Sequence, residues 1–503
     1  MDFKVQIISK ENIKPSSPTQ DHLRTYQLSL LDQIAPNTHV PIILFYSGNF
    51  HRKMSYNLKT SLAETLTHFP PFAGKAKDRF YVDCNDDGAT YIEASVDVDI
   101  TSLILHLQNV EQLMKLMPCG PYDDLREPNV QQLLAVQVNY FRCGGMAICA
   151  SLHHLVADAS SLSIFLHRWA AVARGSAVVK DAIFGACISL FPPVPVLDFS
   201  YISYENEYTR NQIIVRKRFI VEEAKMAALR DRVGDGPHLK RPTRYEAVAA
   251  LMWGAAIAAS RQTDPNVKEH SAAGVVDLRR KMDKTSSKEY VGNLWKWTLA
   301  NCSTEGEPNY NELAAKIREC TRKVDNEWAD VDGYLDFSKK AVDVIGKRSS
   351  ARIFYTSWCK FPFYEVDFGW GKPTWVGTGK TPSTGAYFLE TSDGKGMEAW
   401  LGLAEEDMVL FERHPDILKY ASFSKNLAAT NLLQPTYLHP ATNLLQPTYL
   451  HPPNFGSDGN FRLGEPARVV YGGGVEILGL TGGGVRVDSE GESDGDLELE
   501  EGE

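Results

Sequence analysis

Alternating hydrophobic and polar residues predict β-strands in both halves of the chain. Residues 79–96 contain two alternating runs around an Asn-Asp-Asp-Gly turn, and residues 132–152 contain two more around a Cys-Gly-Gly turn. In the second half, residues 385–404 repeat this arrangement around a Ser-Asp-Gly turn. Alternation on both sides of a glycine-containing turn predicts a β-hairpin. We therefore expect antiparallel hairpins in each half.

Hydrophobic residues at helical spacing predict helices between these strands. Residues 55–69 show this spacing and stop at a Pro-Pro pair, and residues 162–172 show it directly after the second hairpin. Ser160 or Ser161 can cap the start of the latter helix. Residues 245–260 repeat the pattern in the second half. Strands and helices are thus mixed in both halves, which predicts an α+β fold.

The arrangement of these segments predicts two domains of similar size. We expect an N-terminal domain over residues 1–190, a proline-rich crossover connector over 191–212 and a C-terminal domain over 213–425. Residues 426–503 contain a twelve-residue tandem repeat, two glycine triplets and an acidic end. That composition predicts a disordered tail.

Composition and charge exclude several classes of protein. The net charge is −10, but the last eighteen residues carry nine acids and one arginine, which leaves −2 for the rest. A nearly neutral body does not favour nucleic-acid binding. The sequence contains no run of eighteen apolar residues, no secretory signal pattern and no CxxC pair among its eight cysteines. These features predict a cytoplasmic protein without a membrane span or a zinc site.

The candidate chemistry lies at residues 147–160, "AICASLHHLVADAS". His153 and His154 stand where the predicted strand ends, and Asp158 follows where the predicted helix begins. Neighbouring side chains of a strand point to opposite faces, so only one histidine can share a site with Asp158, too few ligands for zinc. A neutral imidazole can act as a general base near pH 7. The competing interpretation is a histidine that packs inward without a catalytic role.

A second motif favours the catalytic interpretation. Residues 367–371 read Asp-Phe-Gly-Trp-Gly, and no His-Arg-Asp catalytic loop precedes them, which argues against a protein kinase. Together, "HHLVAD" and "DFGWG" in this order resemble the BAHD acyl-CoA-dependent acyltransferases. Residues 69–75 ("FPPFAGK"), 243–253 ("TRYEAVAALMW") and 291–295 ("VGNLW") strengthen that resemblance, which is greatest to the vinorine synthase-like branch.

The resemblance implies a fold and a set of functional residues. It implies two chloramphenicol-acetyltransferase-like domains with a solvent channel between them. His154 would be the general base, and Asp158 would pair with an arginine, here Arg279. Asp158 and Asp367 are grouped with His154 as candidate catalytic residues. The remaining motif positions, expected to be architectural, are Arg279, Phe368, Gly369, Trp370 and Gly371. The chain departs from the family pattern at Asp277, where asparagine is usual.

The resemblance also implies a reaction. We expect transfer of an acyl group, acetyl in particular, from acyl-CoA to a hydroxyl of a small hydrophobic specialised metabolite, such as an alkaloid. No bound cofactor or metal is expected, and the family implies a monomer. Two alternatives are a catalytically silent relative that binds a small molecule and a peptide-synthesis condensation domain. The absence of a neighbouring carrier-protein module and the presence of "DFGWG" argue against the condensation domain.

Overall fold

The computed structural model describes most of the chain up to residue 423. The described residues are 2–107, 109–119, 132–176, 182–195, 213–282, 287–303, 306–327, 332–346, 352–379 and 384–423. All of them belong to one compact unit, Met1–Gln434. The predicted tail (426–503) and most of the predicted connector (196–212) lie outside the described residues. The proposed domain boundaries remain a prediction.

Strands and helices are interspersed along both halves of the chain. The strands are β1 (Val5–Ile13), β2 (Thr25–Gln27), β3 (His39–Tyr46), β4 (Lys75–Ala76), β5 (Tyr81–Asp83), β6 (Ala89–Val96), β7 (Leu134–Phe141), β8 (Met146–His153), β9 (Ile214–Val221), β10 (Glu269–Asp277), β11 (Trp295–Ser303), β12 (Arg352–Ser357), β13 (Trp375–Gly377), β14 (Gly385–Glu390), β15 (Met397–Ala404) and β16 (Ser422–Phe423). The helices are α1 (Leu30–Gln33), α2 (Ser55–Thr67), α3 (Ile100–Leu105), α4 (Ala159–Ala173), α5 (Ala186–Leu190), α6 (Glu223–Gly234), α7 (Arg244–Thr263), α8 (Tyr310–Glu327), α9 (Asp332–Gly346), α10 (Glu405–Arg413) and α11 (Pro415–Tyr420).

Two large sheets organise these strands. The first has the order β1-β6-β7-β8-β3-β13, and the second has the order β11-β10-β12-β14-β15-β9-β16. A small third sheet contains β2, β5 and β4. Each half of the chain supplies one large sheet, except that β13 of the second half pairs with β3 of the first sheet. The two halves are therefore connected by backbone hydrogen bonds as well as by packing.

Two of the predicted hairpins are confirmed and one is wrong. Strands β7 and β8 pair antiparallel, as do β14 and β15. The hairpin predicted over residues 79–96 does not form, because β5 pairs with β2 and β4 while β6 pairs with β1 and β7. The alternating pattern there identifies two strands correctly, but it carries no information about their partners.

The hydrophobic pattern explains which helices cover the sheets. Helix α4 buries Leu162, Phe165, Leu166 and Trp169 in the core of the first sheet. Helix α7 is rich in small apolar residues and is buried along most of its length against the second sheet. Asp158, and not the predicted Ser160 or Ser161, is the N-cap of α4, and its carboxylate accepts a hydrogen bond from the Ser161 amide at 2.9 Å.

The described residues contain neither a candidate membrane span nor a candidate metal cluster. No helix in these ranges is both long and apolar enough to span a bilayer. In the same ranges, no group of three or more histidine, cysteine, aspartate or glutamate side chains could hold a metal ion.

Candidate active site

The two adjacent histidines occupy different environments at the end of β8. His153 is the last residue of the strand and is buried, with its ring 5.0 Å from that of His39. His154 follows it, is only partly buried, and donates its amide to the carbonyl of Thr38 at 2.8 Å. His153 Nδ1 accepts a hydrogen bond from the Leu155 amide at 3.1 Å, so the buried ring of His153 is held by the backbone, and His154 is the more exposed of the two.

Asn293, just before β11, holds the His154 ring. Its Oδ1 lies 2.9 Å from His154 Nδ1 and also accepts from Trp295 Nε1 at 3.0 Å. Its Nδ2 donates to the His154 carbonyl at 2.6 Å and to Asp32 Oδ1 at 2.8 Å. An indole nitrogen only donates, and a backbone carbonyl only accepts, so these partners determine which amide atom is oxygen.

The orientation of Asn293 determines the tautomer of His154. Because Asn293 Oδ1 accepts, His154 Nδ1 must carry the proton. The lone pair of the neutral ring then belongs to Nε2. The arrangement produces a histidine whose basic nitrogen is the one directed away from Asn293, as general-base chemistry requires.

Asp32 anchors the other side of Asn293. It is fully buried in α1, and its Oδ1 accepts from both the backbone and side-chain nitrogens of Asn293, at 3.0 and 2.8 Å. Its Oδ2 accepts from the backbone and hydroxyl of Ser29, which forms a capping box with it. Burial raises the pKa of Asp32 from its ordinary value, while the hydrogen bonds from Ser29 and Asn293 act in the opposite direction.

Asp158 forms an ion pair with Arg279. Asp158 Oδ2 accepts a hydrogen bond from Arg279 Nη1 at 2.8 Å, and Oδ1 accepts one from Arg279 Nη2 at 3.1 Å. Oδ2 also accepts from the Leu294 amide at 3.0 Å. Burial acts to raise the pKa of Asp158, but the charge and hydrogen bonds of Arg279 hold it below its ordinary value. The carboxylate therefore stays ionised as part of a buried, bidentate ion pair.

Arg279 connects this ion pair to the segment that carries Asn293. Its Nε donates to the Tyr290 carbonyl at 2.9 Å, and its Nη2 donates to the Gly292 carbonyl at 2.9 Å. Asp277 accepts from Arg279 Nη1 at 3.1 Å, and burial raises the pKa of Asp277. The aspartate that departs from the family pattern is thus a second anionic partner of Arg279.

Consecutive hydrogen bonds fix residues 292–294, which we call the Asn293 segment. The Gly292 amide donates to the Ser161 hydroxyl at 3.1 Å, the Asn293 amide to Asp32, and the Leu294 amide to Asp158. Gly292 has φ +131°, and a Cβ there would lie 2.7 Å from Cys187 Sγ. The position therefore requires glycine for both conformation and space.

Aromatic residues extend from His154 across the second sheet. The Trp295 ring lies 6.1 Å from the His154 ring, and Trp297 lies 5.6 Å from Trp295. Phe354 of β12 continues the series at 5.6 Å from Trp297. Trp295 and Trp297 are buried, so these rings form an apolar core beside the candidate base.

The structure does not bring the "DFGWG" motif to His154. The Asp367 carboxylate accepts from the amides of Gly369 and Gly371 at 2.7 and 2.9 Å, so it closes its own loop. Phe368 packs edge-on against Trp169 of α4 at 5.0 Å and stacks on Trp370 at 5.4 Å. Within the described ranges, no hydrogen bond, ion pair or ring contact joins residues 367–371 to His154.

Sequence reasoning missed Asn293 and Asp32 as site residues. Asn293 lies within "VGNLW", which carried the family resemblance but had no assigned role. Asp32 has the sequence signature of a helix cap, Ser-x-x-Asp, and that signature by itself indicates only a helix start. No periodicity links either residue to His154, from which they are separated by more than a hundred positions.

Comparison with known proteins identifies relatives that cover almost the whole described region. The Transferase family model matches residues 3–418. Limonoid 1-O-acetyltransferase of Citrus sinensis is 37% identical over 449 residues, which cover 84% of this chain and 100% of that protein. Vinorine synthase of Rauvolfia serpentina is 31% identical over 429 residues, which cover 84% of this chain and 99% of that protein.

Solved structures agree in fold. The crystal structure of vinorine synthase matches with a TM-score of 0.70 at 31% identity, covering 81% of this chain and 96% of that one. TRI101 of F. sporotrichioides, complexed with coenzyme A and T-2, matches with a TM-score of 0.66 over 80% of this chain and 99% of that one. At 17% identity, the second match shows likeness of fold alone.

The family match and the relatives define an enzyme that transfers acyl groups. The chain belongs to the Transferase family, the BAHD acyl-CoA-dependent acyltransferases. The predicted family and the predicted α+β fold are thereby confirmed. Acyl-CoA is the co-substrate of this family.

Proposed function

We propose that the chain transfers an acetyl group from acetyl-CoA to a hydroxyl of a hydrophobic specialised metabolite, with His154 as the general base. The observation that carries the proposal is the bond from His154 Nδ1 to Asn293 Oδ1. Because Nδ1 holds the proton, Nε2 has the lone pair that takes up a proton from the acceptor.

The reaction requires one proton to move twice. His154 Nε2 takes the hydroxyl proton while the acceptor oxygen attacks the thioester carbonyl, and a tetrahedral intermediate forms. Its collapse breaks the carbon–sulfur bond, and the imidazolium returns the proton to the departing coenzyme A thiolate. General-base catalysis of this kind contributes about 10²–10⁴-fold to the rate. The mechanism needs no covalent acyl-enzyme.

We assign Asp158 and Arg279 to the support of this site rather than to proton transfer. Both side chains are buried, and the carboxylate is occupied by Arg279, Ser161 and the Leu294 amide. The contacts of Asp367 favour a role within its own loop. Monomeric state and cytoplasmic location remain predictions from the family and the composition.

The acceptor is a polycyclic, hydrophobic alcohol in this proposal. Two limonoid O-acetyltransferases of Citrus sinensis are 37% and 38% identical to this chain, whereas stemmadenine O-acetyltransferase of Catharanthus roseus is 32% identical. The aromatic rings packed next to His154 make its surroundings apolar, which favours a hydrophobic acceptor. We therefore rank limonoid-type alcohols ahead of alkaloid alcohols as acceptors.

A substrate panel tests the proposal. Purified enzyme would be supplied with acetyl-CoA and either limonoid or alkaloid alcohols, and the ester product would be identified by mass spectrometry. We expect a product heavier than the acceptor by the mass that one acetyl group adds when it replaces the hydroxyl hydrogen. Esters of alkaloid alcohols alone would overturn the acceptor ranking, and no ester together with no coenzyme A binding would overturn the function.

A further inference from the structure

Asp32 is the second buried carboxylate near His154, and its hydrogen-bond partners differ from those of Asp158. Asp32 accepts four hydrogen bonds, from the backbone nitrogens of Ser29 and Asn293, the Ser29 hydroxyl and Asn293 Nδ2. Within the described residues, no lysine or arginine side chain forms an ion pair with it. Three of the four donors are N–H groups that can only donate, so the geometry suits an ionised carboxylate.

A single amide group separates this carboxylate from the base. Asn293 Nδ2 bonds to Asp32 Oδ1 at 2.8 Å, and Asn293 Oδ1 bonds to His154 Nδ1 at 2.9 Å. Asn293 is fully buried, so little solvent screens the interaction along this path. By contrast, the charge of Asp158 is balanced at 2.8 Å by Arg279.

We propose that Asp32 is the positioning residue that supports proton uptake by His154, acting through Asn293. It holds the amide so that Oδ1 faces His154 Nδ1, and its negative charge stabilises the imidazolium formed when the acceptor hydroxyl loses its proton. This inference rests on the proposed general-base function and names the residue that assists it.

The side chains that hydrogen-bond to Asp32 within the described residues are uncharged. Ser29 of α1 and Asn293 contact it directly and are uncharged. Tyr26 of β2 and Cys187 of α5 are also near enough that the charge of Asp32 contributes, after burial, to raising their pKa values, so both stay neutral. Two sets of charged side chains border this cluster. Arg79 Nη1 donates to the carbonyls of Gln33 and Ala35 at 2.7 and 3.1 Å, and Asp158, paired with Arg279, accepts from the Leu294 amide of the Asn293 segment.

Asp32→Asn tests the proposal through a pH profile. The substitution keeps the shape of the side chain and removes its charge, so the imidazolium loses stabilisation. We expect kcat to fall about tenfold, a part of the general-base contribution, with little change in KM for acetyl-CoA. Without the negative charge the His154 pKa falls, so the acidic limb of the kcat/KM profile should move about one unit toward lower pH.

Two further variants separate this role from a purely structural one. Ser29→Ala removes a hydrogen bond to Asp32 but keeps the charge, so the acidic limb should stay in place. Asn293→Ala breaks the path to His154, and it should shift the limb in the same direction as Asp32→Asn. The Asn293 variant also provides the test if Asp32→Asn fails to fold.

The outcomes distinguish this inference from the function on which it rests. Active enzyme whose pH limb is unmoved by Asp32→Asn, or by Asn293→Ala where the first variant does not fold, overturns the role of Asp32 alone. If wild-type turnover does not depend on His154, the general-base function itself fails, and the role of Asp32 fails with it. A limb that moves in Asp32→Asn and not in Ser29→Ala supports the proposal.

Discussion

At the scale of single residues, Asn293 determines how His154 can react. Several hydrogen-bond partners fix the orientation of the Asn293 amide. Asn293 Nδ2 has two acceptors, Asp32 and the His154 carbonyl, while Oδ1 receives Trp295 Nε1 as well as His154. The two bonds of Nδ2 suffice to orient the amide. Trp295 is therefore a supporting contact of the site, and it competes with His154 for the same oxygen.

Trp295→Phe should change the chemistry little. Phenylalanine keeps an aromatic ring beside His154 and removes the Nε1 donor, and the two bonds of Asn293 Nδ2 remain. We expect kcat to stay within about threefold of wild type, because the lost bond is redundant for orienting Asn293 and should contribute only about 0.5 kcal/mol, the low end for a hydrogen bond. Steady-state kinetics would measure this. If Trp295→Phe lowered kcat as much as Asn293→Ala, the conclusion that Trp295 matters less than Asn293 for the reactivity of His154 would be contradicted.

Asp158→Asn should act on stability with a defined pH dependence. The pKa of Asp158 is lower in the folded protein than in the unfolded chain. Its ionised carboxylate therefore adds fully to the free energy of unfolding above about pH 4, the ordinary carboxyl pKa. This stabilisation is lost as the pH falls through the lower pKa of the folded state. Breaking the buried pair should lower the free energy of unfolding at pH 7 by about 3–5 kcal/mol.

Denaturant unfolding at several pH values measures this effect. The difference between wild type and Asp158→Asn should shrink below pH 4. Asp99→Asn is the matched control, because Asp99 forms an exposed bidentate pair with Arg142 and should contribute far less. Equal effects of the two variants would contradict the importance of burial.

The sequence was informative about single residues only where motifs are contiguous. His154 and Asp158 stand within six positions of each other, and the family resemblance supplied Arg279. Asp32 and Asn293 contribute through contacts between segments 261 residues apart. Such contacts depend on how α1 and β11 approach each other, which local periodicity does not encode.

At the scale of elements, the Asn293 segment is the part of the site most sensitive to backbone change. All three of its residues use their amides to contact Ser161, Asp32 and Asp158. A shift of this segment would therefore disturb the orientation of Asn293 and, through it, the tautomer of His154.

Gly292→Ala should lower both stability and kcat. Alanine disfavours φ +131°, and its Cβ would meet Cys187 Sγ at 2.7 Å. The conformational strain alone costs about 1–3 kcal/mol. Gly175→Ala is the control, because Gly175 also has positive φ, at +69°, but nothing lies within 4 Å of its Cβ position.

Thermal unfolding and steady-state kinetics should separate these two glycines. We expect both variants to be destabilised, and only Gly292→Ala to lose kcat. Adding Cys187→Ala should restore part of the lost activity by making room for the new methyl group. Equal losses of kcat in the two glycine variants would contradict the link between this segment and His154.

The "DFGWG" loop should matter for stability more than for chemistry. Asp367→Ala removes the acceptor for the Gly369 and Gly371 amides, and one or two exposed hydrogen bonds contribute about 1 kcal/mol each. We expect a lower thermal midpoint, with kcat per folded enzyme within about threefold of wild type. A large loss of kcat at an unchanged thermal midpoint would instead support the catalytic assignment of Asp367.

Element boundaries and local types were mostly predictable, whereas strand partners were not. The helix predicted over residues 245–260 corresponds to α7, and the predicted hairpins β7–β8 and β14–β15 form. The pattern over residues 79–96 gave two strands and the wrong pairing. A hairpin is decided by competition among all available edges, and β1, β2, β4 and β7 provide the better partners.

At the scale of the whole molecule, buried contacts join the two large sheets. Strand β13 hydrogen-bonds to β3, and its Trp375 stacks on Trp400 of the second sheet at 5.7 Å. Both indoles donate to the buried carboxylate of Glu398, at 3.2 and 3.1 Å, and Arg218 lies over the Trp375 ring at 4.9 Å. These contacts hold the first sheet, in which β8 ends just before His154, against the second sheet, in which β11 begins just after Asn293 and Leu294.

The pairing of β13, a strand of the second half of the chain, with β3 of the first sheet could not be predicted from the sequence. Its three residues are too few for an alternating pattern, and they follow a glycine- and proline-containing loop. The sequence predicted two structural halves of similar size, and the structure adds that the second half completes the first sheet.

The most direct test of the central claim is acceptor-dependent thiol release from acetyl-CoA by wild type and His154→Ala. The His51→Ala variant is a matched control, because His51 is exposed and its side chain makes no cap hydrogen bond. We predict that His154→Ala lowers kcat by about 10²–10⁴-fold, while His51→Ala resembles wild type. Thiol release that survives in correctly folded His154→Ala would contradict the assignment of His154 as the base.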